Sequence, residues 1–152
     1  MGLLGRLLGR TDDPTALRAD LREAHAAELG AALALRTHAA QARYPQLAAR
    51  LEALADVEAR HAGWIAEELR RLGDAPSDVE PPLVTGRSPW ERACEARRTA
   101  QRKRRRLREL LTRWDPDEAA AATVLRRIER EDAAGLAVLE EVVVRSDPHA
   151  RD

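Results

Sequence analysis

Apolar residues recur along this chain in alternating steps of three and four, the period of one face of an α-helix. From residue 47 to residue 72 the stripe runs Leu47, Leu51, Leu54, Ile65 and Leu72, and the positions in its middle are Glu58 and His61. A first helix carries Leu17, Leu21, Ala24, Glu28, Ala31 and Leu35, with Glu28 at its centre. A fourth carries Ala122, Leu125, Glu129, Asp132, Leu136, Leu139 and Val143, with two acids inside the stripe. The third stripe, Ala93, Ala96, Ala100, Leu107, Leu111 and Trp114, is apolar.

Prolines punctuate the pattern. Asp13 and Pro14 supply an N-cap and a first helical position, Pro45 restarts a helix after Tyr44, and Ser88-Pro89 with Glu91 forms a capping box. Asp115, Pro116 and Glu118 offer a similar start. Four helices are predicted at roughly 14–43, 45–72, 89–113 and 116–145. Short joints make the first and last pairs antiparallel hairpins. Between them lies "GDAPSDVEPPLVTGRS", residues 73–88, without helical period. Extended, it spans about 50 Å, against about 40 Å for a 27-residue helix, so it can run the length of a bundle.

The expected fold is all-α: a four-helix bundle over 14–146, two antiparallel hairpins joined by the long crossover 73–88. An up-down bundle with a loose middle loop is the alternative. Residues 1–13 form a short amphipathic segment and 147–152 a polar tail. Leucines 3, 4, 7 and 8 set against Arg6 and Arg10 suit docking of residues 1–10 on a partner or a membrane surface, or capping of the bundle.

Composition agrees with helices. The chain of 152 residues has no Phe, three Trp and one Tyr, and Ala, Leu, Arg and Glu dominate. No apolar run approaches the roughly 20 residues that span a bilayer. Cys94 is the single cysteine, so no internal disulfide forms and a reducing, cytoplasmic setting is expected. Lys103 is the sole lysine among 26 basic residues, which fits an arginine bias across the whole chain.

The acids carry the chemistry. A buried unpaired carboxylate costs several kcal/mol or takes up a proton. Acids at mid-stripe on three helices therefore call for a common counter-charge. Residues at i and i+3 share a helix face, so Glu58 and His61 can address one ion together, and Glu129 with Asp132 repeats the spacing. Hard cations bound by carboxylates and an imidazole would satisfy the set.

On these motifs, "EARHAGWI" and "EREDAAGL", the chain resembles the ferritin-like di-iron superfamily that includes rubrerythrins and bacterioferritins. That family places one Glu on the first helix, Glu-x-x-His on the second, one Glu on the third and Glu-x-x-His on the fourth. The resemblance implies a di-iron or iron/manganese site. Glu58 and Glu129 would bridge, Glu28 and His61 would be terminal ligands, Glu95 the third-helix ligand, and Asp132 would stand where the family has His. Glu95 sits about 120° from the centre of its apolar stripe. The implied activity is iron oxidation or related oxygen and peroxide chemistry, in a homodimer or higher oligomer.

The other candidates are weaker. His25 and His38 are expected at the surface of the first helix, with a supporting role for His25 beside Glu28 as the alternative. Cys94 reads as a small buried residue. Residues 87–113 hold eleven basic and three acidic side chains although the whole chain is neutral. A nucleic-acid or other anionic partner on 97–108 is one reading. A solvated face neutralised by neighbouring acids is favoured by the lack of interleaved aromatics. A bundle without metal, its seam acids satisfied by third-helix arginines such as Arg97 and Arg104, is the competing function.

Overall fold

A computed structural model describes residues 13–115 and 118–149. It contains four helices: α1 (Pro14–Ala40), α2 (Pro45–Arg71), α3 (Pro89–Trp114) and α4 (Ala119–Ser146). The proline-marked starts of the first three stand where the caps predict them. Asp13 accepts from the Thr15 N–H at 2.9 Å. Ser88 and Glu91 form the reciprocal capping box. Residues 1–12, with their expected docking role, and Pro116 lie outside the described residues.

The fourth helix begins at Ala119, three residues later than expected. Asp115 belongs to the end of α3: its N–H donates to Leu111 O at 2.9 Å, and the Glu118 N–H reaches Trp114 O at 2.9 Å. A residue that closes one helix in αR geometry is not free to cap the next. Its carboxylate pairs with Arg126 instead.

Side-chain pairs fix the topology. Arg50 meets Glu141 and Arg60 meets Glu131, so α2 and α4 run antiparallel. Trp114 at the end of α3 donates its indole N–H to Asp20 near the start of α1 at 2.8 Å. The crossover leaves α2 where Arg22 of α1 pairs with Asp74, and enters α3 at the opposite end, where α1 finishes. It therefore travels the length of the bundle. This is the ferritin-like connection. Gly73, at φ +74°, makes the turn that starts it, a conformation glycine adopts at no steric cost.

The core consists of two apolar clusters stacked along the bundle axis. One contains Leu17, Leu21, Ile65, Leu69, Leu107 and Leu125, closed by Trp114. The other contains Leu35, Ala39, Leu51, Leu54 and Leu139. A polar layer separates them.

The inward face of α4 differs from the expected stripe. Leu125, Asp132 and Leu139 face inward, but the residue buried after Leu125 is Ile128, not Glu129, and the one buried after Leu139 is Val142, not Val143. Both sets satisfy three-four spacing, and a small rotation of the helix chooses between them. Burying Ile128 completely is worth about 1.5–3 kcal/mol. Glu129 meanwhile finds two guanidinium groups outside the core, Arg104 at 3.0 Å and Arg108 at 2.9 Å.

Candidate metal centre

The polar layer gathers one residue or more from every helix. Glu28 comes from α1, Glu58 and His61 from α2, Lys103 from α3 and Asp132 from α4, all buried. Each stands at a position where the three-four period faces the axis. Ligand-type atoms of Glu28, Glu58, His61 and Asp132 lie within 4.8 Å of one another. Among them sits the Lys103 ammonium. It donates to Glu28 Oε2 at 2.6 Å and Asp132 Oδ1 at 3.2 Å, and most closely to Glu58 Oε2.

His61 is oriented by a residue outside the cluster. Its Nε2 lies 3.0 Å from Glu131 Oε2, and Arg60 holds the same oxygen at 2.9 Å. The other ring nitrogen, Nδ1, points inward. It lies 3.4 Å from Glu28 Oε2 and 3.4 Å from Asp132 Oδ1, but makes a well-formed hydrogen bond to neither. Trp64 packs beside the imidazole at 5.3 Å, with the Arg127 guanidinium 3.9 Å above the indole. Glu28 Oε1 and Asp132 Oδ2 are likewise buried without a partner.

Proton affinities follow the geometry. Burial would lower the His61 pKa, but Asp132, Glu28 and Glu131 outweigh it and raise the imidazole to about 10. Burial pushes Glu58 up, its hydrogen bond with Glu28 pushes further, and the nearby Lys103 charge only partly offsets them. For Glu28 the balance is reversed. Burial opposes ionisation, yet His61 and Lys103 hold its carboxyl below the usual range. Lys103 stays protonated because the attraction of Glu28, Glu58 and Asp132 exceeds the cost of its burial. Three acidic groups thus face two basic ones in a small buried volume.

The structure brings four of the six expected ligand residues together, Glu28, Glu58, His61 and Asp132. Glu129 and Glu95 stand elsewhere. Glu129 is drawn outward by Arg104 and Arg108, and Glu95 accepts from Thr85 of the crossover at 3.2 Å. The counter-charge that sequence reasoning sought as a metal or as arginines Arg97 and Arg104 is here supplied by Lys103. Its signal was present: steps of three and four from Ala93 pass through 96, 100, 103, 107, 110 and 114, so the lone lysine occupies a seam position. Glu131 had no such signal, because its role depends on α4 packing beside α2.

Two further corrections concern α1. His25 and His38 are buried, at 6% and 2% exposure, not at the surface. Burial lowers the pKa of both, more strongly for His38, where the Arg92 charge adds to it. The basic stretch of α3 is answered in part within the chain. Arg104 and Arg108 share Glu129, Arg106 reaches Glu23 and Asp20, and Arg113 meets Asp20. These pairs neutralise part of the face, as the reading of a solvated helix expects.

The comparisons with known proteins agree with this fold. The model of the rubrerythrin family matches residues 20–101, more than half of the chain. The chain belongs to that family. Among solved structures it is similar to the bacterioferritin of Desulfovibrio desulfuricans, described with a diiron site, at 24% identity and a TM-score of 0.82, over 93% of this chain and 86% of that one. It is also similar to a ferritin-like, diiron-carboxylate protein of Bacillus anthracis str. Ames, at 21% identity and a TM-score of 0.77, over 88% of this chain and 99% of that one. These likenesses establish the ferritin-like four-helix bundle. No curated protein matches the sequence. No helix among the described residues is long and apolar enough to cross a membrane.

Three carboxylates and one imidazole nitrogen at these separations suit one transition-metal ion. A second ion would need further ligands. The residue one helical turn beyond Asp132 is Gly135, which has no side chain to offer, and α3 contributes a cation.

Proposed function

We propose that this chain is a ferritin-like iron protein whose bundle-centre site takes a single ion, with the Lys103 ammonium standing in for a second. Glu28, Glu58, His61 and Asp132 would hold it. The observation that carries the reading is the setting of His61. One nitrogen is tied to Glu131, and the other is buried, unpartnered and aimed at carboxylates. Metal-binding histidines are commonly oriented by an outer carboxylate in this way. The diiron descriptions of the two structural relatives favour iron over other ions that the donor set would accept.

Bound iron would supply one-electron chemistry toward oxygen or peroxide, in keeping with the activity the family resemblance implies. The chain's own part is orientation and proton supply. Glu131 keeps the Nδ1 of His61 directed inward. Lys103 holds a proton at Nζ within hydrogen-bond reach of Glu28, Glu58 and Asp132, and so neutralises part of their charge. The two apolar clusters exclude water from above and below.

Aerobic titration with Fe(II), followed by metal analysis, tests the proposal. Uptake should saturate at one iron per chain and fall below a tenth in His61→Ala. Saturation at two would restore a paired centre. No uptake would favour a second reading, a metal-free bundle in which Lys103 is the permanent counter-ion, and the close contacts of its Nζ with three carboxylates are what support that alternative.

A further inference from the structure

A cavity of about 350 Å³ lies between α1 and α3 beneath the crossover, within the size range of small-molecule sites. Its walls are small residues, Ala31 and Ala34 from α1 facing Ala96 and Ala100 from α3. Pro82 and Leu83 roof it. Leu83 is 88% exposed, so the roof is laid over the groove without being packed into it. At its inner end the groove reaches Glu58 and Lys103, and at its outer end His38 and Arg92. The ten residues of α1 from Glu28 to His38 span roughly 15 Å, which sets the length.

The outer end has unused polar capacity. His38 is 2% exposed, and neither of its ring nitrogens has a partner. The Nε of Arg92 is also buried and unpartnered. Arg92 donates only to backbone carbonyls, Gly86 O at 3.1 Å and Arg87 O at 3.4 Å, and meets no carboxylate among the described residues. It is nevertheless held in place. A Cβ on Gly86 would come within 2.6 Å of the Arg92 backbone nitrogen and 2.7 Å of its Cγ, so only glycine lets the crossover close against this arginine. Glu95, the acidic group nearest in sequence along the groove, is engaged by Thr85 and forms no ion pair. Arg102 at the rim turns to Thr99. The ammonium at the inner end is already committed to three carboxylates.

We propose that this groove binds an elongated monocarboxylic acid, its apolar chain lying along the alanine walls and its carboxylate meeting Arg92 and His38. A half-buried guanidinium whose Nε is enclosed and which meets no acidic partner, beside a buried imidazole with two open nitrogens, is a receptor for one anionic head group. Small residues on both walls leave room for a narrow chain and for nothing bulky. Such a ligand would extend from the outer end toward Glu58 and Lys103, placing its far end beside the bundle-centre cluster.

Calorimetric titration of the full chain tests this with decanoate, with decanol as the neutral match and with acetate as the head group alone. Decanoate should bind saturably at one per chain, decanol at least tenfold more weakly, and acetate without measurable heat. Arg92→Gln should weaken decanoate at least tenfold, and Ala34→Trp should abolish binding by filling the groove. Ala100→Leu, a smaller obstruction that helix propensity tolerates, should weaken it if the tryptophan variant fails to fold by circular dichroism. The proposal is overturned by absent or non-saturating decanoate binding, by equal binding of decanol, or by full retention of binding in folded groove-filling variants. Metal plays no part in these expectations, so a failed titration leaves the one-iron reading standing.

Discussion

The two hairpins of the bundle have the same architecture and different chemistry at the same level. The α1–α2 hairpin presents Glu28, Glu58 and His61 to the axis, a nearly complete ligand set for one ion. The α3–α4 hairpin presents Lys103 and Asp132, turns Glu129 outward to Arg104 and Arg108, and has Gly135 one helical turn beyond Asp132. One half therefore presents most of the candidate metal-binding face, and the other supplies a fixed positive charge and one shared carboxylate. A single lysine supplies one of the positive charges that a second ion would have carried, and it adds no redox centre.

Removing that lysine is the strongest way to break the asymmetry. Lys103→Met leaves three buried acids without their ammonium. Loss of one partner from such a buried set costs about 3–5 kcal/mol. The variant should lose that much in denaturant unfolding with chelator present, and should recover more of it on iron addition than the native chain does. Unchanged stability would mean that Lys103 is not the counter-charge and that the hairpins differ less than their geometry indicates.

The pH dependence sharpens the contrast between metal-free and metal-bound states. The folded pKa of His61 is raised to about 10 from an ordinary 6.5, so its contribution is complete below about pH 6.5 and disappears as pH rises through 10. Glu58, raised to about 8, adds a loss of the same sign between about pH 4.5 and 8. Metal-free protein should therefore become less stable from pH 6.5 to 10, by several kcal/mol. Iron binding needs deprotonated ligands, so its affinity should climb over the same interval. Urea midpoints with chelator and with iron, measured across this range, should move apart. Parallel curves would count against ligation by His61.

Glu129→Gln is the mildest test. The residue lies outside the cluster, in ion pairs near the surface, where such pairs are worth about 0–1 kcal/mol. Iron stoichiometry should stay unchanged and unfolding should shift by no more than that. Loss of iron on this substitution would return Glu129 to the centre and make the two hairpins alike.

The legible part of the site was the part with a period. Glu28, Glu58 and His61 interrupt otherwise apolar stripes, and a buried acid in a seam demands a partner wherever the helix packs. Lys103 obeys the same period, but an arginine-rich helix and an alanine-poor interval around it masked the signal. Glu129 and Ile128 show the opposite difficulty. Both fit three-four spacing beside Asp132, and choosing between them requires knowing which α4 rotation fills the core and which neighbour offers guanidinium groups.

The sequence by itself determined the four helices, the start of the first three, the hairpin pairing and the length of the crossover. Capping, proline geometry and helical period are local, and chain length limits what a linker can span. Only the tertiary structure decided which cation meets the acids, that His61 leans on Glu131, and that His38 and Arg92 face a groove. Those facts depend on rotations of a few tens of degrees between packed helices, and such rotations are set by the fit of whole surfaces, not by any one segment.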